Sequence, residues 1–130
     1  MTLTVGTVGE LTTVVQPEML ANAVGSGGIA VLSTPSMIGL MEGAAHNAVA
    51  ALLPDGQVTV GTRVDIRHLA ATPLGMQVRT RAELVEIVGR RLVFHVEAFD
   101  AQEKIGDGTH ERAIVDPARL LARVNQKRAT

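Results

Sequence analysis

The sequence predicts an α+β fold in which an antiparallel sheet wraps a long central helix and a short helix closes the chain. Three observations carry that prediction. Residues Thr34 to Leu53 read as one helix with almost no polar side, the residues from Val58 to Val115 alternate with period two, and the connections between the alternating runs are short. A lone helix without a solvent face has to be enclosed by a sheet rather than laid on its outside.

The 130 residues suit a single domain spanning 1–130 and are enough to bury a real core. A net charge of −1 with interspersed signs argues against a phosphate-backbone binder, and two aromatic residues, Phe94 and Phe99, make no base-stacking platform. Nucleic acid is therefore not the expected partner. Met1 to Thr13 show no basic start followed by an apolar run, and no apolar stretch approaches the ~20 residues needed to span a bilayer. The expectation is a cytoplasmic protein with no membrane partner. Zero cysteines exclude disulfides, thiolate metal sites and cysteine nucleophiles, so any chemistry must use oxygen and nitrogen groups.

Thr2 to Val15, rich in Thr and Val, reads as a first strand, and Pro17 to Val24 as a short helix opened by proline and ended at Gly25. Gly25-Ser26-Gly27-Gly28 then makes a loop, read either as an ordinary connector or as an entrance lid to the helix that follows. At Thr34-Pro35 a hydroxyl residue able to cap free backbone N–H groups precedes a proline suited to the first helical turn, and Pro54-Asp55-Gly56 stops the helix. Between them Met37, Leu40, Met41, Ala44, Ala48 and Leu52 recur at three- and four-residue steps, flanked by Ile38, Ala45 and Val49.

After Gly56 the period is two. Val58, Val60, Thr62, Val64, Ile66 and His68 fall on one strand face, and Thr59, Gly61, Arg63, Asp65 and Arg67 on the other. Ala70 to Gly75 reads as a turn into a second strand, with Met76, Val78, Thr80, Ala82 and Leu84 opposed to Gln77, Arg79, Arg81 and Glu83. Gly89-Arg90 makes a hairpin tip, Arg91 to Asp100 a third strand, Ala101-Gln102-Glu103 a turn, and Lys104 to Val115 the last strand. Short connections predict that consecutive strands are neighbours. Asp116-Pro117 opens a basic helix, Ala118 to about Lys127, whose Leu120, Leu121 and Val124 are expected to pack on the body. The whole describes a hotdog, and its open sheet edges predict dimerisation.

Glu42 is the only charged side chain in the long helix. With Ile38, Ala45 and Val49 on its face and no cation at helical spacing, desolvation is expected to raise its pKa, the condition for a general base or nucleophile near neutral pH. His68 lies on the apolar face of its strand, where a hydrogen-bonded core role competes with catalysis. His46, His95 and His110 are weaker candidates: His46 is placed to orient Glu42, and His95 points outward. No histidine and carboxylate share a metal-site spacing. Thr34 reads first as the helix N-cap. Gly61 marks either a bulge or a place where a ligand meets backbone, and Arg112 either an anion contact or a solvated face. Gly106 to Gly108 is no phosphate loop, lacking both helix and lysine.

Four motifs in register, Gly39-Leu40-Met41-Glu42, His68-x-Ala70-Ala71-Thr72-Pro73-x-Gly75, Gly89-Arg90-Arg91-Leu92 and Gly108-Thr109-His110-Glu111-Arg112-Ala113, resemble the hotdog thioesterases of the fluoroacetyl-CoA thioesterase-like family. The likeness runs from about Thr34 to Gln126. It implies hydrolysis of an acyl-CoA thioester in a pocket between two subunits, with CoA entering only as part of the substrate and no cofactor. It also implies a homodimer, with association of two dimers left open. By the same resemblance Thr34, Glu42 and His68 are the catalytic group, and Gly61 and Arg112 contact substrate. Glu42 is then the nucleophile or the base for water, His68 handles the proton and polarises the thioester, Thr34 positions or activates the attacking group, and the helix N-terminus donates to the oxyanion. The member selective for the fluorinated substrate carries aromatic residues before the threonine, where this chain has Gly25-Ser26-Gly27-Gly28, so a short-chain or small acyl group is the expected substrate. Eight residues of continuous helix span ~12 Å, so Thr34 and Glu42 of one subunit touch only if the helix begins after Thr34; otherwise Thr34 works with groups of the partner. Two other readings are an acyl-CoA hydratase or dehydratase, whose Asp and His pair Asp65 and His68 match loosely, and a non-catalytic acyl-CoA-binding hotdog.

Overall fold

The computed structural model describes residues 2–128. Five strands, β1 (Val8–Val14), β2 (Val58–His68), β3 (Gln77–Val88), β4 (Arg91–Phe99) and β5 (Lys104–Val115), form one antiparallel sheet in the order β1-β3-β4-β5-β2. The helices are α1 (Ala21–Val24), α2 (Thr34–Val49) and α3 (Pro117–Gln126), with 3-10 turns at Pro17–Met19 and Ala50–Leu52. α2 lies in the concave face of the sheet, the hotdog arrangement.

The periodicities explain the core. Met37, Met41, Ala44, Ala45, Ala48 and Val49 of α2 are buried against Val78, Ala82 and Leu84 of β3 and Leu92, Phe94, Val96 and Ala98 of β4. Gly9 of β1 lets the sheet touch the helix backbone, because a Cβ there would overlap the Ala44 carbonyl and the Ala48 amide. The enclosure is one-sided, however. Thr34, Pro35, Gly39, His46 and Asn47 are exposed, so α2 has a solvent face that its residue pattern does not announce.

Three other expectations change. β1 starts at Val8 rather than Thr2, because Thr4 to Thr7 form a turn in which the Thr7 hydroxyl donates to the Thr4 carbonyl at 2.7 Å and Gly6 takes φ +99°. β2 and β3 are not neighbours. Residues 69–76 cross the end of the sheet, a gap of three strand spacings or ~14 Å that eight residues at ~3.3 Å each easily span. That crossing, pinned by the Leu69 amide to the Ile105 carbonyl at 2.6 Å and the Leu32 amide to the Thr72 carbonyl at 2.8 Å, runs beside the start of α2. Finally, α3 is capped as its sequence predicts, Asp116 accepting from the Ala118 amide at 2.9 Å, yet Leu120, Leu121 and Val124 stay exposed. The cap and proline mark where this helix begins, while its apolar residues find no docking face in the same protomer.

Candidate active site

The first turn of α2 divides two tasks between adjacent hydroxyls. Ser33, with extended φ −75° and ψ 153°, is the N-cap, its Oγ accepting from the Ser36 amide at 3.1 Å. Thr34, expected to be the cap, is instead the first helical residue, and its hydroxyl is free to meet His68, with Oγ1 2.7 Å from Nδ1. His68 ends β2 and reaches this point because the 69–76 crossing turns away immediately after it. The pair lies in the wall of a cavity of ≈ 370 Å³, which Ala21, Ser26, Val31, Leu69 and Ala71 also line. Burial pushes the His68 pKa below its ordinary value, partly opposed by a polar contact with the Ala70 backbone, so the ring is neutral at pH 7. Its Nε2 is buried and makes no hydrogen bond among the described residues. In the first turn Pro35 has no N–H, Ser36 and Met37 donate to Ser33, and the Thr34 amide is the donor the cap does not use.

Glu42 sits two turns further along the same unbroken helix, ~12 Å from Thr34. The expectation of a desolvated, unaccompanied carboxylate fails on both counts. Its side chain is 42 % exposed, and its Oε2 lies 3.6 Å from Arg112 Nη1. Helical spacing could not reveal this cation, since it comes from β5. Arg112 is itself buried, donating through Nε to Thr59 Oγ1 at 2.9 Å, through Nη2 to the Thr59 carbonyl at 3.1 Å and through Nη1 to His110 Nε2 at 3.2 Å. It is no solvated-face arginine.

Strict alternation would set Thr59 and Gly61 opposite His68. A bulge resolves this: Gly61 pairs with Arg112 and Arg63 with Glu111, leaving Thr62 as the extra residue. Thr59 and Gly61 before it, and Ile66 and His68 after it, therefore all face α2. A Cβ at Gly61 would fall 2.5 Å from Glu42 Oε2, so the missing side chain is where the carboxylate fits.

Asp65, three residues before His68 and like it beyond the bulge, points outward. It is 73 % exposed and 3.9 Å from Arg63, on the face opposite His68, which removes the Asp–His pair of the hydratase reading. His46 is exposed and makes no ion pair or hydrogen bond with Glu42 among the described residues, and His95 points outward as expected. No group of three or more His, Asp or Glu among the described residues could hold a metal ion. His110 and Thr59 are the residues that sequence reading undervalued. The available signal was the two-residue step from His110 to Arg112, which puts both on one strand face.

A fluoroacetyl-CoA thioesterase structure, 37% identical, superposes with a TM-score of 0.91 over 96% of this chain and 97% of that one. A Thermus thermophilus thioesterase superfamily member, 30% identical, gives 0.89 over 97% and 93%. The fold is that of the hotdog thioesterases, and the chain is a thioester hydrolase. The model of the fluoroacetyl-CoA-specific thioesterase family matches residues 15–118, and the fluoroacetyl-CoA thioesterase of Streptantibioticus cattleyicolor is 44% identical over 97 residues, 75% of this chain and 70% of that protein. This chain belongs to that family.

Proposed function

We propose that the protein hydrolyses a short-chain or small acyl-CoA thioester to the free acid and CoA, in the cytoplasm and without a cofactor. The observation that carries this reading is the Thr34–His68 hydrogen bond of 2.7 Å in a cavity wall, beside a buried imidazole nitrogen with no partner. When the Thr34 hydroxyl donates to Nδ1, the neutral ring carries its proton on Nε2 and can polarise a thioester carbonyl or protonate the departing thiolate. Glu42 then either attacks the carbonyl carbon, the C–S bond breaking to leave an acyl–Glu42 anhydride that water hydrolyses, or takes a proton from a water that attacks and breaks the same bond. In both, the thiolate takes the His68 proton, water supplies the hydroxyl of the acid, and its remaining proton restores His68. Gly61 leaves room at the carboxylate, and Arg112 fixes its charge partner.

The same reading makes the enzyme a homodimer. Thr34 and Glu42 of one chain are too far apart to share a substrate carbonyl, while the solvent face of α2 and the open edge of β2 offer a surface to a second copy, whose Glu42 would complete the site. Release of thiol from acetyl-, propionyl- and butyryl-CoA is the direct test. Glu42→Gln, folded by circular dichroism, is expected to lose ~10²–10⁴-fold in turnover. An active variant removes Glu42 from the chemistry, and a monomer by solution scattering at assay concentration defeats the shared site.

A further inference from the structure

We propose that His110 is a positioning residue, whose hydrogen bond to Arg112 sets the guanidinium that faces the Glu42 carboxylate. The inference rests on the reading of Glu42 as the reacting carboxylate. It starts from a tautomer. His110 Nδ1 lies 2.8 Å from the Arg63 carbonyl oxygen, which can only accept, so Nδ1 carries the proton. In the neutral ring Nε2 is then a lone pair, and Arg112 Nη1 donates to it at 3.2 Å. Glu42 Oε2, 4.0 Å from the same nitrogen, finds no donor there and is left to Arg112.

The ring itself is held. Only 1 % of the His110 side chain is exposed, and it stacks on Phe94 of β4 with centroids 6.3 Å apart. The charged groups around it are Arg112 and Glu111 on its own strand and Glu42 on α2, while β2 supplies the Arg63 carbonyl and β4 the apolar Phe94. Burial and the Arg112 charge both hold the ring neutral, in the form able to accept. Thr59 alone provides the other two anchors of Arg112, on Nε and Nη2. Without the His110 acceptor, Nη1, the nitrogen nearest Glu42, has no fixed partner in the wall behind it.

Two variants separate positioning from packing. His110→Asn keeps a donor near Nδ1 for the Arg63 carbonyl but gives up the acceptor for Arg112; His110→Gln keeps an acceptor near Nε2 but gives up the donor. With the best substrate of the acyl-CoA panel, His110→Asn is expected to lose about tenfold or more in kcat with KM within about twofold, and His110→Gln to stay within about threefold of the parent in kcat. A structural role alone would lower the melting temperature of both and leave kcat of the folded fraction unmoved in both, which overturns the proposal. Imidazole nitrogen NMR tests the tautomer without activity: a proton on Nε2 instead of Nδ1 also overturns it. Measured in parallel, an inactive Glu42→Gln with an unimpaired His110→Asn defeats the positioning role alone, whereas an active Glu42→Gln defeats the reading of Glu42 and the role built on it.

Discussion

Two polar clusters lie along the same helix and are built in opposite ways. At its start, Thr34 and His68 share one hydrogen bond at the edge of a cavity, with an imidazole nitrogen left over. Two turns on, Arg112 is buried and held by Thr59 and His110 at three points before it meets Glu42. The first cluster leaves an imidazole nitrogen for a reactant; in the second it is Arg112 whose bonds are taken up by the protein, so that it holds in place a half-exposed carboxylate that stays available to react. A hydrolytic site needs both kinds of group, one that exchanges protons and one that does not rearrange.

The largest expected effect comes from breaking the first cluster. His68→Asn removes the proton carrier and should lower kcat by ~10²–10⁴-fold while the core, to which His68 contributes little, keeps its fold. The pH dependence sharpens the same point. Because burial depresses the folded pKa of His68 below 6.5, the neutral ring persists below that pH, and the acid limb of kcat/KM should fall below 6.5. Stability follows the same sign: the unfolded chain takes up protons near its ordinary pKa while the folded chain resists until a lower pH. The contribution of His68, and of His110, whose pKa burial also lowers, is therefore present above 6.5 and lost as pH falls through the folded values. An acid limb centred above 6.5 in the parent protein would contradict the neutral His68 on which the first cluster depends.

Gly61→Ala attacks the second cluster. The new Cβ would sit 2.5 Å from Glu42 Oε2 and 3.2 Å from His110 Cε1, so the flexible carboxylate must move. A loss of ~10–100-fold in kcat is expected from the displaced group, with a stability cost of about 1 kcal/mol, the low end of the overpacking range, because Glu42 is half exposed and can swing outward. Thiol-release kinetics and thermal melting check the two numbers separately. An unchanged kcat would mean that the fixed position of Glu42 is irrelevant.

What was legible in the sequence follows from what is periodic. The α2 pattern, the alternation of β3 and β4 and the Asp116-Pro117 start of α3 all depend on near neighbours, and all are present. The bulge at Thr62 is a property of pairing with β5, so period-two reading placed Gly61 and Thr59 on the face opposite His68. The non-adjacency of β2 and β3 was likewise hidden, because a connection of eight residues suits a hairpin or a crossing equally well. In the site, Glu42 stood out as the one charge on an apolar helix. Its partner did not, since Arg112 arrives from seventy residues away along a strand whose burial becomes visible only once α2 is in place.

The smallest expected effect tests why the two clusters can share a helix at all. A threonine that caps α2 would spend its oxygen on an amide and have none for His68; Ser33 relieves it of that duty. Ser33→Ala should cost about 1 kcal/mol through the lost cap, lowering the melting temperature by roughly 3 °C for a chain of this size. Thr34 is in no position to substitute, because a capping residue needs extended backbone angles and Thr34 already sits in the first helical turn. Its bond to His68 should therefore survive, and kcat should change by less than about threefold. A much larger loss of kcat than of stability would show Thr34 drawn back into the cap, with the hydroxyl of the first cluster held in place by Ser33 alone.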